Sequence, residues 1–325
     1  VLSLSGDIRH TDHDLYLLHH FTQVTAHTYN SPGAASVYSN QVLSLALEYP
    51  YLMHAMMAVS SCHLQHMDID AKEYRRPEAL HCHFASQGLR SAVSMMSGPK
   101  DCDAVLSTAM MLNTLTFCLA DYRDEPPFEG GSTQEPRYDW LRIQIGLTTL
   151  LCETSPYHPE SCWLFLFMAT DNFTISEPPE TNLGEQLAEI CGVDENSTEE
   201  NNPYYEVLKF LTPILARKPS EKYLLLYLRT IGAINSDFIN RMETMDIRAL
   251  LIFAHWLALM CSIDQWWCVR RTRRECWTIC DILSTKMAPN YAKLLEFPAN
   301  ACGYPLLFSL VENITDVNDA SVCNT

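Results

Sequence analysis

Glycine is scarce in this chain, with eleven in 325 residues. The one Gly-Gly pair, Gly130-Gly131, falls in a loop and does not join a strand to a helix. Phosphate-cradling loops and Rossmann-like nucleotide folds need glycine where backbone approaches a ligand, so both readings are disfavoured. Basic charge is also short: 22 Lys and Arg stand against 39 Asp and Glu, a net charge of −17. Phosphate binding needs clustered cations, which argues against nucleic-acid binding by this chain itself. No run of about eighteen residues is free of charged and polar groups, so no membrane span is expected. Val1 to His10 lacks the basic-then-apolar pattern of a signal peptide. Also missing are a G-x-S-x-G elbow, a Cys–His nucleophile signature and an HExxH zinc motif. The catalytic residues of any enzymatic activity are therefore unknown from sequence, and no cofactor or metal is expected.

What the chain does have is helical period. The strongest segment is Ala46 to Met67, ALEYPYLMHAMMAVSSCHLQHM. Pro50 suits a first helical turn, where its missing N–H costs nothing, and Leu52, Met53, Met56, Met57 and Val59 follow at helical spacing. The same reading predicts helices over Asp12–Thr28, Val37–Glu48, Pro50–Met67, Ala71–Ser97, Asp101–Asp121, Tyr138–Cys152, Pro159–Thr170, Tyr204–Ala216, Ser220–Met242, Asp246–Trp267 and Thr272–Lys286. Period-two alternation between hairpin turns is absent, so the fold class is all-α with little or no sheet. Residues 1–325 read as a single large multi-helix domain. Asp101 is placed to cap the helix after the Ser97–Lys100 turn. Residues 171–203 read as a long irregular acidic loop between two helical halves, ending in a mobile run from Asp194 to Asn202. Residues 288–325 read as an irregular tail.

Three features have two readings each. Thirteen scattered cysteines, an odd number, fit reduced core thiols of an intracellular protein. A secreted protein with some disulfides is the rival, to which the sequons at Asn172, Asn196 and Asn313 lend slight support. Arg270-Arg271-Thr272-Arg273-Arg274 reads as a solvated helix start, against an anion or partner contact. His63, His66, His81 and His83, beside Cys62 and Cys82, have the residue types of a zinc site. His81 and His83 point to different helix faces, so core or surface histidines are the better reading.

DLYLLHHFTQVTAHT from Asp14 and ALEYPYLMHAMMAVSSCHL from Ala46 together resemble the C-terminal regulatory region of fungal zinc-cluster transcription factors, in particular the sterol uptake control protein family. Tyr74 and Ala79-Leu80-His81 follow at the family's usual distance, and Ala254-His255-Trp256-Leu257-Ala258-Leu259 leading to Trp266-Trp267 is a second patch. The resemblance implies an all-helical domain with an internal hydrophobic cavity for a ligand. Two departures stand out. No Cys-x2-Cys start of a DNA-binding zinc cluster occurs, so that module lies upstream of Val1 or the protein has none. After Trp267, where the family commonly has glycine, this chain has Cys268-Val269-Arg270-Arg271.

The candidate ligand-binding residues are Phe253, His255, Trp256, Met260, Trp266, Trp267, Phe165 and Met168. They are aromatic or sulfur-bearing and suit an oily guest, with His255 able to orient a hydroxyl or carbonyl. For any one of them, plain helical core is the competing reading. The leading function is a regulatory domain of a transcription factor that binds a sterol- or terpenoid-like molecule, in the nucleus or cytoplasm, with a homodimer or protein partner. The alternative is a stand-alone, secreted and glycosylated enzyme of secondary metabolism that cyclises a terpenoid or polyketide by holding it in shape. A helical interaction domain without a ligand ranks third.

Overall fold

The structure, a computed structural model, describes residues 12–29, 33–68, 71–118, 138–171 and 178–306. Among these, every regular element is helical and there is no strand, as the periodicity predicts. No helix among them is long and apolar enough to cross a membrane. The described residues fall into two compact units, an N-terminal one that also holds residues 143–171 and 265–268, and a C-terminal one that also holds residues 138–142.

The N-terminal unit comprises α1 (Asp12–Gln23), α2 (34–46), α3 (Pro50–Met67), α4 (Arg75–Met95), α5 (Pro99–Phe117), most of α6 (Asp139–Thr154) and α7 (Leu164–Asp171). The predicted first helix stops short, at Gln23, and Thr25–Thr28 tightens into a 3-10 turn. Gly33 leads into α2 with φ +85°, a left-handed conformation that costs glycine little. The middle of α2, Val37–Val42, is wound as a π-helix. The centre of the unit is α3, buried on almost every side from Leu52 to His63. A helix apolar all round belongs inside. It packs against α1, α4 and α5. Gly88 of α4 lets the two backbones close: a Cβ there would sit 2.4 Å from the Tyr51 Cβ.

The helix predicted to begin at Asp101 begins at Pro99, again with proline in the first turn. Asp101 is therefore inside that turn, not at the cap. From there it reaches back to accept from the Ser97 N–H (3.1 Å) and hydroxyl (2.9 Å), and from the Tyr49 hydroxyl (2.7 Å). Two residues later Asp103 accepts from the Ser161 hydroxyl and the Cys162 N–H, while the Trp163 indole N–H donates to the Ser107 hydroxyl at 2.9 Å. These bonds pin the 161–163 turn to α5 and seat Trp163 in the core, 1% exposed. They also explain why α7 starts at Leu164 and not at Pro159, since the preceding residues are spent on the turn.

The C-terminal unit comprises α8 (Leu183–Ile190), α9 (Tyr205–Leu215), α10 (Leu224–Gly232), α11 (Ser236–Glu243), α12 (Ile247–Met260), α13 (Val269–Lys286) and α14 (Glu296–Cys302). Its centre is α12, buried at every position from Ala249 to Met260, and packed against α13, α14 and the three helices before it. Asp246 caps it by accepting from the Arg248 and Ala249 N–H groups at 2.9 and 3.0 Å. Four expectations are corrected here. The segment 171–203 contains α8, whose Leu187 is buried. The Asp194–Asn202 run is largely exposed, yet Ser197, Asn201 and Asn202 tie it together through side-chain bonds to backbone. The helix predicted over Ser220–Met242 is two helices, because Gly232 ends the first and Asn235 caps the second by accepting from the Phe238 N–H. The tail is ordered through a 3-10 segment, Pro289–Leu295, and α14; residues from 307 onward lie outside the described residues.

Candidate functional site

The eight candidate residues divide between the two units. Phe253, His255, Trp256 and Met260 lie on α12, in the C-terminal unit; Phe165, Met168, Trp266 and Trp267 belong to the N-terminal unit. Each group is described by itself.

Phe253 and Trp256 are three residues apart and so share one face of α12. Their rings stack at 5.6 Å and 12°. Trp140, from the start of α6, closes on both at 6.2 and 6.1 Å, and Tyr138 meets Phe253 edge-on at 5.8 Å. The Trp256 indole N–H donates to the Tyr227 carbonyl at 2.8 Å, so its one polar atom is satisfied. The guanidinium of Arg271 lies 5.6 Å over the Trp140 ring and pairs with Glu275 at 3.0 Å. Both members of that pair are 3% exposed. This corrects the reading of the Arg270–Arg274 run as a solvated helix start. The run does open α13, but position 271 faces inward, where a cation is kept only by a paired anion and a ring face. Trp140, Tyr138 and the Arg271–Glu275 pair were not singled out in the sequence. The one available signal was the i, i+4 spacing of Arg271 and Glu275.

His255 points elsewhere. Its ring lies 5.9 Å from Phe297 of α14, and its Nδ1 is 2.8 Å from the Leu251 carbonyl. A carbonyl only accepts, so Nδ1 carries the hydrogen and Nε2 is a bare acceptor. That Nε2 is buried with no partner among the described residues. Burial holds the ring neutral, with its pKa lowered to about 4. As an acceptor it can orient a hydroxyl; it cannot donate to a carbonyl, which narrows the sequence expectation. Met260 is fully buried at the end of the same helix.

In the N-terminal unit Trp266 stacks on His63 at 4.6 Å and lies 5.8 Å from His66. Its indole N–H donates to the Thr28 hydroxyl at 2.8 Å, and His63 Nδ1 pairs with the Thr25 hydroxyl at 2.9 Å. Burial lowers the His63 pKa to about 4, with His20 and His66 adding to the effect. His81 meets His54 at 2.9 Å and Asp14 at 3.4 Å. Trp267 lies edge-on to Phe117 at 5.7 Å, and its carbonyl accepts the Cys118 thiol. Its indole nitrogen is buried without a partner among the described residues. Phe165 packs over Gly33 and lies 6.1 Å from Trp163, while Met168 is half exposed.

A cavity of about 310 Å3 opens in the C-terminal unit among Glu199, Glu200, Glu206, Phe238, Asp237 and Arg241. None of the eight candidate residues lines it. The described cysteines are free thiols. Of the three sequons only Asn196 falls within the described residues, where it is exposed.

Comparison with known proteins matches residues 16–125, which include most of α1 and all of α2 to α5, to the family described as fungal specific transcription factor domain. The chain is 26% identical over 247 residues to sterol uptake control protein 2 of Candida albicans, covering 70% of this chain and 31% of that protein. It is 23% identical over 297 residues to a Zn(2)-C6 fungal-type transcription factor of Gibberella zeae, covering 84% of this chain and 60% of the relative. A second Zn(2)-C6 fungal-type factor, from Aspergillus fumigatus, is 29% identical over 165 residues, covering 47% of this chain and 41% of the relative. The chain thus spans less than two thirds of the length of these relatives.

Proposed function

We propose that this chain is a regulatory domain of a fungal transcription factor acting in the nucleus, and that a hydrophobic small molecule of sterol or terpenoid type controls it. The observation that carries the first part is similarity to factors of this kind over 70 to 84% of the chain, together with the family match over residues 16–125. The net charge of −17 fits a part that leaves DNA contact to another module and meets proteins instead. The secreted, enzymatic reading has no comparable support.

The ligand is the finer part of the proposal. The name of the Candida albicans relative supports a sterol-related role for that relative. In this chain the support is chemical: His255 offers a buried acceptor, unpaired among the described residues and beside the Phe297 ring, which suits a molecule with one hydroxyl on an oily body. The acidic cavity at Glu199 does not suit such a guest. The ring of Phe297 lies 5.9 Å from that of His255, so a ligand reaching this acceptor beside α12 has to part the two rings. Entry is then coupled to rearrangement, and the ligand shifts the balance by its unequal affinity for the two arrangements. A protein partner or a second copy that reads one arrangement completes the switch.

The test is a reporter experiment. The chain is fused to an unrelated DNA-binding module in a fungal host, and transcription is measured with sterol synthesis running and blocked. A change of about fivefold or more, abolished in His255→Phe, is expected from a coupling of 1–3 kcal/mol. Equal transcription in both conditions overturns the ligand reading, and no transcription in either overturns the regulatory one.

A further inference from the structure

Four thiols of the C-terminal unit take no part in this reading. Cys276 and Cys280 are four residues apart on α13, so they leave the same face. Cys302 ends α14, which packs against both α12 and α13. The Sγ atoms of Cys276, Cys280 and Cys302 all lie within 4.8 Å of one another, and all three residues are buried. Cys261, at the C-terminal end of α12, is a hydrogen-bond neighbour of Cys276. Two helices therefore bring three sulfurs within 4.8 Å of one another, and a third helix sets a fourth beside Cys276.

Packing alone does not ask for this. A buried cysteine is a small apolar residue that alanine or valine can replace. Weak thiol contacts to carbonyls do exist, from Cys276 to Ala254 and Pro298 at 3.7 and 3.5 Å and from Cys302 to Ala299 at 3.6 Å. They satisfy single thiols but give no reason for the sulfurs to be mutual neighbours.

We propose that Cys261, Cys276, Cys280 and Cys302 form a closed four-sulfur site for one Zn2+ ion. Thiolate sets without oxygen ligands select thiophilic cations, and a four-thiolate zinc site is structural, with no open position. Zn–S bonds of about 2.3 Å place tetrahedral sulfurs about 3.8 Å apart, so the three mutual neighbours need to close by about 1 Å at most. On binding, four S–Zn bonds form and the thiol protons pass to solvent, so affinity rises with pH. No electron is transferred. The ion would clamp the end of α12 to α13 and α14, the helices that hold Arg271 and Phe297.

The test is a Co2+ titration of the full chain, purified with its thiols reduced. About one equivalent of cobalt is expected to bind with sulfur-to-cobalt charge-transfer bands and to be displaced by Zn2+. The double variant Cys280→Ser with Cys302→Ser should drop the stoichiometry to near zero, while Cys152→Ser, at an exposed position, leaves it unchanged. Should the double variant fail to fold, alkylation of the unaltered chain decides: Zn2+ should protect these four cysteines and leave Cys152 reactive. No charge-transfer band, a disulfide between any two of the four, or no Zn2+ protection overturns the proposal. So does copper(I) held by three of them with Cys261 left reactive.

Discussion

Two histidines show what burial does to a single group. His63 and His255 both have folded-state pKa values lowered to about 4, against 6.5 in an unfolded chain, and in both desolvation is the largest cause. Above pH 6.5 neither state binds the proton, and stability is unaffected. Between pH 6.5 and about 4 the unfolded chain takes up protons that the folded chain refuses, so stability falls with pH. Each histidine contributes up to about 1.4 kcal/mol per pH unit in that window. Chemical denaturation at pH 7, 6 and 5 should show this slope, and Trp266, stacked on His63, reports it by fluorescence. A stability that is flat from pH 7 to 5 contradicts the assignment. The neighbour of His255 was not legible in the sequence. Adjacency to Trp256 suggested a shared pocket, whereas consecutive helical residues diverge by about 100° and His255 faces Phe297. Arg271 was hidden for the converse reason: a run of arginines looks solvated unless its anion and ring partners are already known.

At the scale of elements, α3 and α12 were legible because both are apolar around their whole circumference. Pro50 and Asp246 also mark their starts. Asp246 binds two backbone N–H groups and the Tyr204 hydroxyl, the last at 2.8 Å. Asp246→Ala should cost about 1–2 kcal/mol in urea denaturation, and a change below a few tenths would show that the cap is dispensable. Gly88 makes a sharper test. In a helix interior Gly→Ala normally gains up to about 1 kcal/mol. Here the added carbon meets the Tyr51 Cβ at 2.4 Å, so α3 and α4 must separate, an overpacking cost of about 1–3 kcal/mol. Gly88→Ala should lower the melting temperature, and an unchanged or raised one would contradict the close approach. Nothing in the local sequence announced this, because a glycine on a helix is ambiguous until its neighbour is known. The break at residues 233–235 was missed for a related reason. Helical period continues across it, and only the Asn235 side chain reveals a new start.

For the whole molecule, fold class followed from composition and period, since they are properties of every segment. The site did not, because it depends on distant segments meeting: Trp140 reaches Phe253 and Trp256 from far upstream in the chain. The same holds for Cys261, Cys276, Cys280 and Cys302, which read as scattered core residues until their helices are placed. The eight candidate residues form two clusters in sequence, and the structure sets Trp266 and Trp267 in the unit that holds Phe165 and Met168, apart from the rest of their cluster on α12. The central claim is that a domain resembling those of fungal transcription factors takes a hydrophobic guest beside α12. Its most direct test is equilibrium binding of a fluorescent sterol bearing a single hydroxyl to the purified chain, for unaltered protein and for His255→Phe. The account predicts saturable, one-to-one binding, weakened by about tenfold in the variant, since a hydrogen bond of about 1.5 kcal/mol is lost. A chain that is folded by circular dichroism yet shows no saturable sterol or terpenoid binding would contradict it.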